Sequence, residues 1–228
     1  MLVADALAAG TEIVALYTEP DATVPDSGGP GSVGPGSVEP TLVEPGVLGR
    51  VLDTVTPRPV AAVARIATTS REALVQAAVD RQRPVVVMDR VADPGNAGTI
   101  LRSAEAAGAA GVVVTGGTVD LWSPKVVRSS AGSVLRVPIA EIEHLAEMNG
   151  DDGALELIGT AAGRGDAHVS TPLAGAIGIV VGSEAHGLDP DALVDRWTHI
   201  EMDGPIESLN VAMAATVLLF EARRQRRA

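Results

Sequence analysis

Short apolar runs recur from Pro84 onward, each followed by a turn and then by a segment with helical periodicity. Strands without a polar face must be covered on both sides, and their alternation with helices is typical of a parallel sheet. We therefore predict one α/β domain over residues 84–228. Its predicted strands are Val85–Met88, Val112–Val114, Leu155–Thr160, Ile177–Val181 and His199–Met202, and its predicted helices are Ala97–Ala107, Pro124–Ser130, one containing His144, one near Pro190–Arg196, and Ser208–Arg224.

Residues 1–83 are predicted to form a smaller α/β unit. Its elements are the helices Leu2–Ala9, Val47–Thr54 and Ser70–Asp80, and the strands Ile13–Tyr17 and Val60–Ile66. Residues 21–49 are dominated by Pro, Gly, Ser and Val and bury too little apolar surface to offset the entropy of ordering them. We therefore expect a disordered insertion there and a domain boundary near residue 83.

The composition excludes several classes of protein. Without cysteine, the chain has no disulfide framework, no thiolate metal site and no cysteine nucleophile. No apolar run reaches the roughly 18 residues that cross a bilayer, and the N-terminus does not resemble a signal peptide. We expect a cytoplasmic protein with no membrane partner. The net charge of −12 also argues against an indiscriminate nucleic-acid binder.

Nearly all of the positive charge is arginine, because Lys125 is the only lysine. Four arginines cluster at the C-terminal end: Arg223, Arg224, Arg226 and Arg227. One interpretation is a solvated helix end that complements the helix dipole. The other is a contact with RNA phosphates, which the planar guanidinium group recognises well.

Residues 89–108 form the first segment with candidate chemistry. A strand ends near Asp89, and a turn that contains Asn96 leads into a helix carrying Arg102. Free N–H groups at a helix start can bind an anion, and an arginine beside them suits a polyanionic substrate. The alternative is a well-capped helix in which Asn96 only satisfies backbone groups.

Two later segments add further polar residues to apolar elements. In residues 178–188, Gly182 and Gly187 flank Glu184 in the loop after a strand, where open α/β sheets bind their ligands. His186 in the same loop is expected to be an exposed residue rather than a catalytic base. In residues 199–226, Asn210 stands at the edge of an apolar helix, where its amide needs a specific partner.

Together these segments resemble the three motifs of the SpoU (TrmH-like) family of SPOUT RNA methyltransferases. The first motif is an Asn in a D-P-x-N-x-G turn with an Arg on the next helix, the second is G-x-E-x-x-G, and the third is S-L-N. The matching residues are Asn96 and Arg102, then Gly182, Glu184 and Gly187, then Ser208, Leu209 and Asn210. The resemblance covers roughly residues 84–228.

The resemblance implies a parallel sheet whose C-terminal segment is threaded through a deep trefoil knot. It implies S-adenosylmethionine as cofactor, bound among the knot loops, a homodimer whose active sites draw on both subunits, and no metal. The residues expected to bind the cofactor are Thr160, Ala161, Gly182, Glu184, Gly187, Ile200, Met202 and Leu209. The apolar stretch Val211–Phe220 and the helix Asn96–Ala107 are expected to form the dimer interface.

The implied reaction is methylation of a ribose 2′-hydroxyl in ribosomal or transfer RNA. The residues expected at the reaction centre are Arg102, Asn96, Glu184, Ser208 and Asn210. Arg102 either removes the hydroxyl proton or only orients a substrate phosphate. The alternative function is a non-catalytic RNA-binding or ribosome-assembly protein of the same fold, and the sequence names neither the RNA nor the nucleotide.

The N-terminal unit resembles part of the family's ribosomal-protein-L30e-like domain, which recognises the RNA substrate. The similarity begins abruptly at Leu2, without the preceding strand and basic helix. We therefore expect the natural protein to extend further at its N-terminus. A shortened family member that recognises RNA through its C-terminal domain alone is the alternative.

Overall fold

The computed structural model describes residues 2–24, 38–52, 58–149 and 155–228. The chain divides into two compact units, Met1–Ala67 and Thr68–Ala228. This division lies earlier than the boundary expected near residue 83. The difference arises because the helix at Arg71–Arg81 buries Leu74 and Ala78 in the hydrophobic core of the second unit.

The first unit contains a three-stranded sheet in the order β2-β1-β3. Its elements are α1 Leu2–Ala8, β1 Ile13–Thr18, β2 Thr41–Leu42, α2 Val47–Val51 and β3 Val60–Ala64. Strand β1 pairs in parallel with β2 and antiparallel with β3.

The disordered insertion expected at 21–49 is wrong for its last part. There β2 pairs with β1, and the Glu19 carboxylate accepts hydrogen bonds from the backbone N–H groups of Gly46 and Leu48. These contacts hold the start of α2 against the end of β1. Residues 25–37 lie outside the described part of the chain.

The second unit is built on a seven-stranded parallel sheet in the order β6-β5-β4-β9-β7-β10-β8. This confirms the predicted α/β class. Its elements are α3 Arg71–Arg81, β4 Val85–Met88, α4 Pro94–Ala107, β5 Gly111–Val114, α5 Pro124–Ser129, β6 Ile139–Glu141, β7 Glu156–Thr160, β8 Asp166–Ala167, β9 Ile177–Val181, β10 Arg196–His199 and α6 Val211–Gln225, with short 3-10 helices at Ser133–Leu135 and Leu145–Asn149.

Both faces of this sheet are covered by apolar side chains. On β4, Val86 and Met88 join a core cluster that includes residues of α4, α5 and α6. The alternate residues Val85 and Val87 join a second cluster that includes Leu74 of α3. Since all four side chains are fully buried, strand β4 has no polar face, as its sequence indicates.

Three helices begin at other residues than predicted, because of their caps. Helix α3 starts at Arg71, one residue after the expected Ser70, because the Ser70 hydroxyl caps it by accepting a hydrogen bond from the Ala73 N–H. Helix α4 starts at Pro94, three residues before the expected Ala97, because the Asp93 carboxylate accepts a hydrogen bond from the Asn96 N–H at 2.8 Å. Helix α6 starts after Ser208, because the Asn210 side chain caps it. The helix expected to contain His144 is a 3-10 turn that begins one residue later.

The helix expected near Pro190–Arg196 is absent, and the strand expected at His199–Met202 is β10, ending at His199. Local acids explain the difference. The Asp189 carboxylate accepts a hydrogen bond from the Asp191 N–H, and the Asp195 carboxylate accepts one from the Leu157 N–H. These bonds compete with helical pairing and fix an extended approach to β10.

Residues 161–165 connect two strands that lie on opposite sides of β10. Thr198 of β10 stands opposite Thr160 of β7 on one side and Asp166 of β8 on the other. The connection must therefore cross β10 at this level. At the crossing, a Cβ atom on Gly165 would overlap the carbonyl oxygen of Trp197, so the two backbones are in direct contact.

Replacing Gly165 with Ala is expected to destabilise the protein by about 3 kcal/mol or more, because the methyl group combines an unfavourable positive φ with overlap of the Trp197 backbone. Gly163→Ala is the matched control. Gly163 also has a positive φ, of 65°, but nothing lies within 4 Å of the added Cβ, so a loss of about 1 kcal/mol is expected. Urea unfolding measures both variants, and equal losses would contradict the close crossing.

Candidate functional site

The candidate site lies at the carboxyl edge of the parallel sheet, where open α/β folds bind their ligands. Four strands end there next to one another, β4, β9, β7 and β10. The segments that follow them are 89–93, 182–188, 161–165 and 200–210. All three motifs singled out from the sequence are thereby brought to one edge.

Glu184 connects the second motif to the first. One carboxylate oxygen, Oε1, accepts hydrogen bonds from Asn96 Nδ2 at 2.8 Å and from the Asp93 N–H at 3.1 Å. The other oxygen, Oε2, accepts a hydrogen bond from the Ala92 N–H at 3.1 Å. The carboxylate therefore fixes the turn that leads from β4 into α4.

Asn96 passes the connection on to the third motif. Its Oδ1 accepts a hydrogen bond from Asn210 Nδ2 at 2.9 Å. The Asn210 Oδ1 in turn caps helix α6 by accepting hydrogen bonds from the N–H groups of Ala212 and Met213. This series, Glu184 to Asn96 to Asn210, is called the amide relay below.

The amide relay rules out the interpretation in which Asn96 only satisfies backbone groups. Asp93 supplies the cap of α4, so the amide of Asn96 is available to bind two other side chains. The orientation of that amide is fixed, because its NH₂ faces a carboxylate and its oxygen faces an NH₂. The partner that the Asn210 amide needs is thus Asn96.

The relay also holds the Glu184 carboxyl in its ionised form. Partial burial alone would raise its pKa, but hydrogen bonds from Asn96 and from the backbone N–H groups of Ala92 and Asp93 outweigh that effect. They lower the pKa of Glu184 below its ordinary value of 4.5. The site therefore contains a fixed negative charge beside the loop that carries Gly182 and Gly187.

A cavity of about 590 Å³ opens beside the relay. Its walls contain all eight residues expected to bind the cofactor, and also Ser208 and Asn210. Sequence analysis missed other lining residues, among them Leu188, Thr198 and Leu218, which are buried. Only the packing assigns them to the cavity, because apolar and hydroxyl side chains carry no separate sequence signal.

The chemistry of the cavity suits a ligand with apolar parts and a positive charge. Ile200, Leu209 and Leu218 supply apolar surface, while Glu184 supplies the fixed negative charge and no Lys or Arg lines the walls. A Cβ atom on Gly182 would overlap the backbone of Gly187, so the loop is closed tightly on itself. These features fit S-adenosylmethionine, which combines an adenosine with a cationic sulfonium.

Two of the expected catalytic residues do not line this cavity. Asn96 does not line the cavity itself but forms hydrogen bonds to two residues that do, Glu184 and Asn210. Arg102 is exposed on α4, and its guanidinium has no hydrogen bond or ion pair to any residue that the structure describes. His186 is exposed, as expected. Over 2–24, 38–52, 58–149 and 155–228, no group of His, Asp and Glu is arranged to hold a metal.

Residues 83–220 match the model of the SpoU rRNA Methylase family. The chain belongs to this family. It is 34% identical over 178 residues to the 23S rRNA (guanosine(2553)-2′-O)-methyltransferase RlmP of Bacillus subtilis, which covers 76% of this chain and 68% of the relative. It is 38% identical over 185 residues to the 23S rRNA (guanosine-2′-O-)-methyltransferase RlmB of Xanthomonas axonopodis. That alignment covers 79% of this chain and 74% of the relative.

Solved structures of the SpoU family share the fold. The AdoMet-bound rRNA methyltransferase from Sinorhizobium meliloti superposes with a TM-score of 0.81 at 27% identity, covering 98% of this chain and 84% of that chain. None of the helices in the described residues is both long and apolar enough to cross a membrane.

Glu184→Gln is expected to lower the free energy of unfolding by about 1 kcal/mol at pH 7, because the amide accepts fewer of the relay's hydrogen bonds and the site is partly exposed. Because the pKa of Glu184 is lowered, its carboxylate contributes fully to the free energy of unfolding at pH values above the ordinary pKa of 4.5. This contribution is lost as the pH falls through the folded-state pKa. The difference from the wild type should therefore shrink as the pH falls below 4.5.

Urea midpoints of the wild type and the variant, measured from pH 7 to below pH 4.5, test the expectation, with Glu201→Gln as control. Glu201 is exposed and has no hydrogen bond or ion pair within the described ranges. A difference for Glu184→Gln that stays constant with pH would contradict the ionised relay.

Proposed function

We propose that this chain is an S-adenosylmethionine-dependent methyltransferase that modifies a ribose 2′-hydroxyl of ribosomal or transfer RNA. The observation that carries the proposal is the amide relay, which joins all three family motifs at the wall of one cavity. Two relatives, RlmP of Bacillus subtilis and RlmB of Xanthomonas axonopodis, are 2′-O-methyltransferases of 23S rRNA, which favours the ribosomal substrate. A cytoplasmic location is part of the same proposal.

The loops that line the cavity would hold the cofactor: Thr160–Ala161, Gly182–Gly187, Ile200–Met202 and Leu209. When bound, S-adenosylmethionine supplies a methyl group made electrophilic by its sulfonium. The chain's part is to exclude water and to fix the approach to that group. Ser208 and Asn210 stand at the cavity wall, where they are placed to orient a hydroxyl by hydrogen bonding.

Arg102 is proposed to act on the RNA rather than on the cofactor. It does not line the cavity of its own chain, and its guanidinium is free to bind a phosphate. Arginine normally stays protonated, so removal of the hydroxyl proton by Arg102 requires neighbouring groups to assist. In either role its loss affects methyl transfer and leaves cofactor binding intact.

The homodimer is supported by an uncovered apolar face on α6. Met213, Val217 and Phe220 lie three or four residues apart, and between 37% and 55% of each is exposed. Within the single chain, one side of the stretch Val211–Phe220, which is expected to form the dimer interface, is therefore left uncovered. A second subunit that covers this face would bury it, and would also bring an Arg102 from outside to each cavity.

The trefoil knot and the L30e-like recognition domain are each proposed from one feature of the fold. The crossing of residues 161–165 over β10, with β7 and β8 on its two sides, supports a threaded chain. The small sheet of residues 1–67 supports an L30e-like recognition domain only through its α/β elements.

Transfer of labelled methyl groups to deproteinised ribosomal RNA and to bulk tRNA, read as alkali-resistant 2′-O-methyl nucleotides, tests the activity. Arg102→Ala is expected to keep its calorimetric affinity for S-adenosylmethionine and to lose at least about 100-fold in transfer rate, the scale of a lost proton-transfer group. Lys125→Ala, also exposed in the same layer of helices, is the control. Unchanged turnover would remove Arg102 from the reaction, and RNA binding without any transfer by the wild type would favour the non-catalytic alternative.

Replacing Met213 and Val217 together with Asp is expected to give a monomer, because charges cannot be buried in an apolar interface. Light scattering at micromolar concentration should give twice 23.2 kDa for the wild type and 23.2 kDa for the variant. Val169→Asp, at an exposed apolar residue elsewhere in the second unit, should remain dimeric. A wild type that is both monomeric and active would disprove the shared site.

A further inference from the structure

A second cavity, of about 480 Å³, lies at the opposite edge of the parallel sheet from the cofactor cavity. It is formed where the chain enters β4 and β9 and where α6 ends. Five arginines line it, and it is called the arginine pocket below: Arg81, Arg83, Arg223, Arg226 and Arg227.

None of these five arginines forms an ion pair with any residue in the described ranges. The neighbouring Arg224 differs, because it binds the Glu221 carboxylate at 2.7 Å and does not line the pocket. In a chain with a net charge of −12, acidic partners are abundant. Five arginines that converge without an acidic partner in the described ranges therefore indicate a site for an external anion.

A structural role explains only part of the arrangement. Arg226 Nη2 donates a hydrogen bond to the Ala107 carbonyl at the end of α4, and the Arg83 guanidinium lies beside Gly108. Cations there complement the helix dipole. However, the Nη1 of Arg226 is buried without a hydrogen-bond partner, and Arg223 and Arg227 do not reach that helix end through any hydrogen bond.

The cluster is electrostatically unfavourable as it stands. Burial, followed by repulsion from Arg83, Arg223 and Arg227, lowers the pKa of Arg226. An anion in the pocket would relieve this repulsion and provide an acceptor for the buried Nη1. A phosphate fits best, because its several oxygens can accept hydrogen bonds from more than one guanidinium fork.

We propose that the arginine pocket binds a backbone phosphate of the RNA substrate. This inference rests on the proposed function, since it takes RNA as the substrate. An RNA chain that also reaches the cofactor cavity would be held at two opposite edges of the sheet. Such a second contact gives an acidic protein a local means of binding RNA without general affinity for nucleic acids.

Binding of a fluorescein-labelled, 20-nucleotide single-stranded RNA, followed by anisotropy over a range of NaCl concentrations, tests the proposal. Arg223→Gln with Arg227→Gln removes two cations that are partly or fully exposed, so folding should be preserved. The expected result is about tenfold weaker binding, with the slope of log K against log salt reduced by about 0.7, the value for one lost phosphate contact to a single strand. Arg83→Gln should weaken binding in the same direction.

Arg71→Gln with Arg136→Gln is the matched control. It changes the net charge equally but removes arginines that are already paired with Glu72 and Glu105. RNA affinity lost equally in both double variants, or in neither, would overturn the proposal. Calorimetry with inorganic phosphate separates the sources, because a pocket that binds phosphate while RNA affinity is unaffected is a free-anion site. Since this readout needs no methyl transfer, a failed transfer assay and a failed pocket are distinguishable.

Discussion

The Glu184 carboxylate holds together parts of the chain that are almost a hundred residues apart. It accepts hydrogen bonds from the turn after β4 and from Asn96, and Asn96 binds the residue that caps α6. An ionised carboxylate accepts all three bonds without a proton competing for its acceptor positions, and its charge strengthens each bond. The relative positions of three loops at the carboxyl edge therefore depend on the charge of one side chain.

The parallel sheet could be predicted from the sequence because its strands have no polar face. Strand β8 could not, since Asp166 and Ala167 have no apolar pattern and are held by the backbone of β10 and by hydroxyl groups of Thr171 and Thr198. Helix starts were misplaced by a few residues for a similar reason. A Pro or Asn near a helix start can stand before it or within its first turn, and the capping bonds of Asp93 and Asn210 decide which.

The family motifs predicted residues that line the cavity at the carboxyl edge, but they did not predict the hydrogen bonds that connect the motifs. Nothing in the sequence states that the side chain of Asn96 faces Glu184 rather than the backbone, because that choice depends on Asp93 taking over the cap. The arginine pocket was likewise visible only in part. Arg81 and Arg83 are distant in sequence from the C-terminal cluster, and the fold alone brings them together.

The crossing over β10 fixes some walls of the cavity at the carboxyl edge of the sheet and leaves others outside the crossing. Thr160 and Ala161 lead into the crossing segment, and Ile200 leaves the strand that it crosses, so neither wall can move without disturbing the contact between Gly165 and Trp197. Residues 203–210 are instead exposed throughout and precede the cap of α6. Together with the exposed residues 184–187, this segment forms the part of the cavity wall that the crossing does not fix.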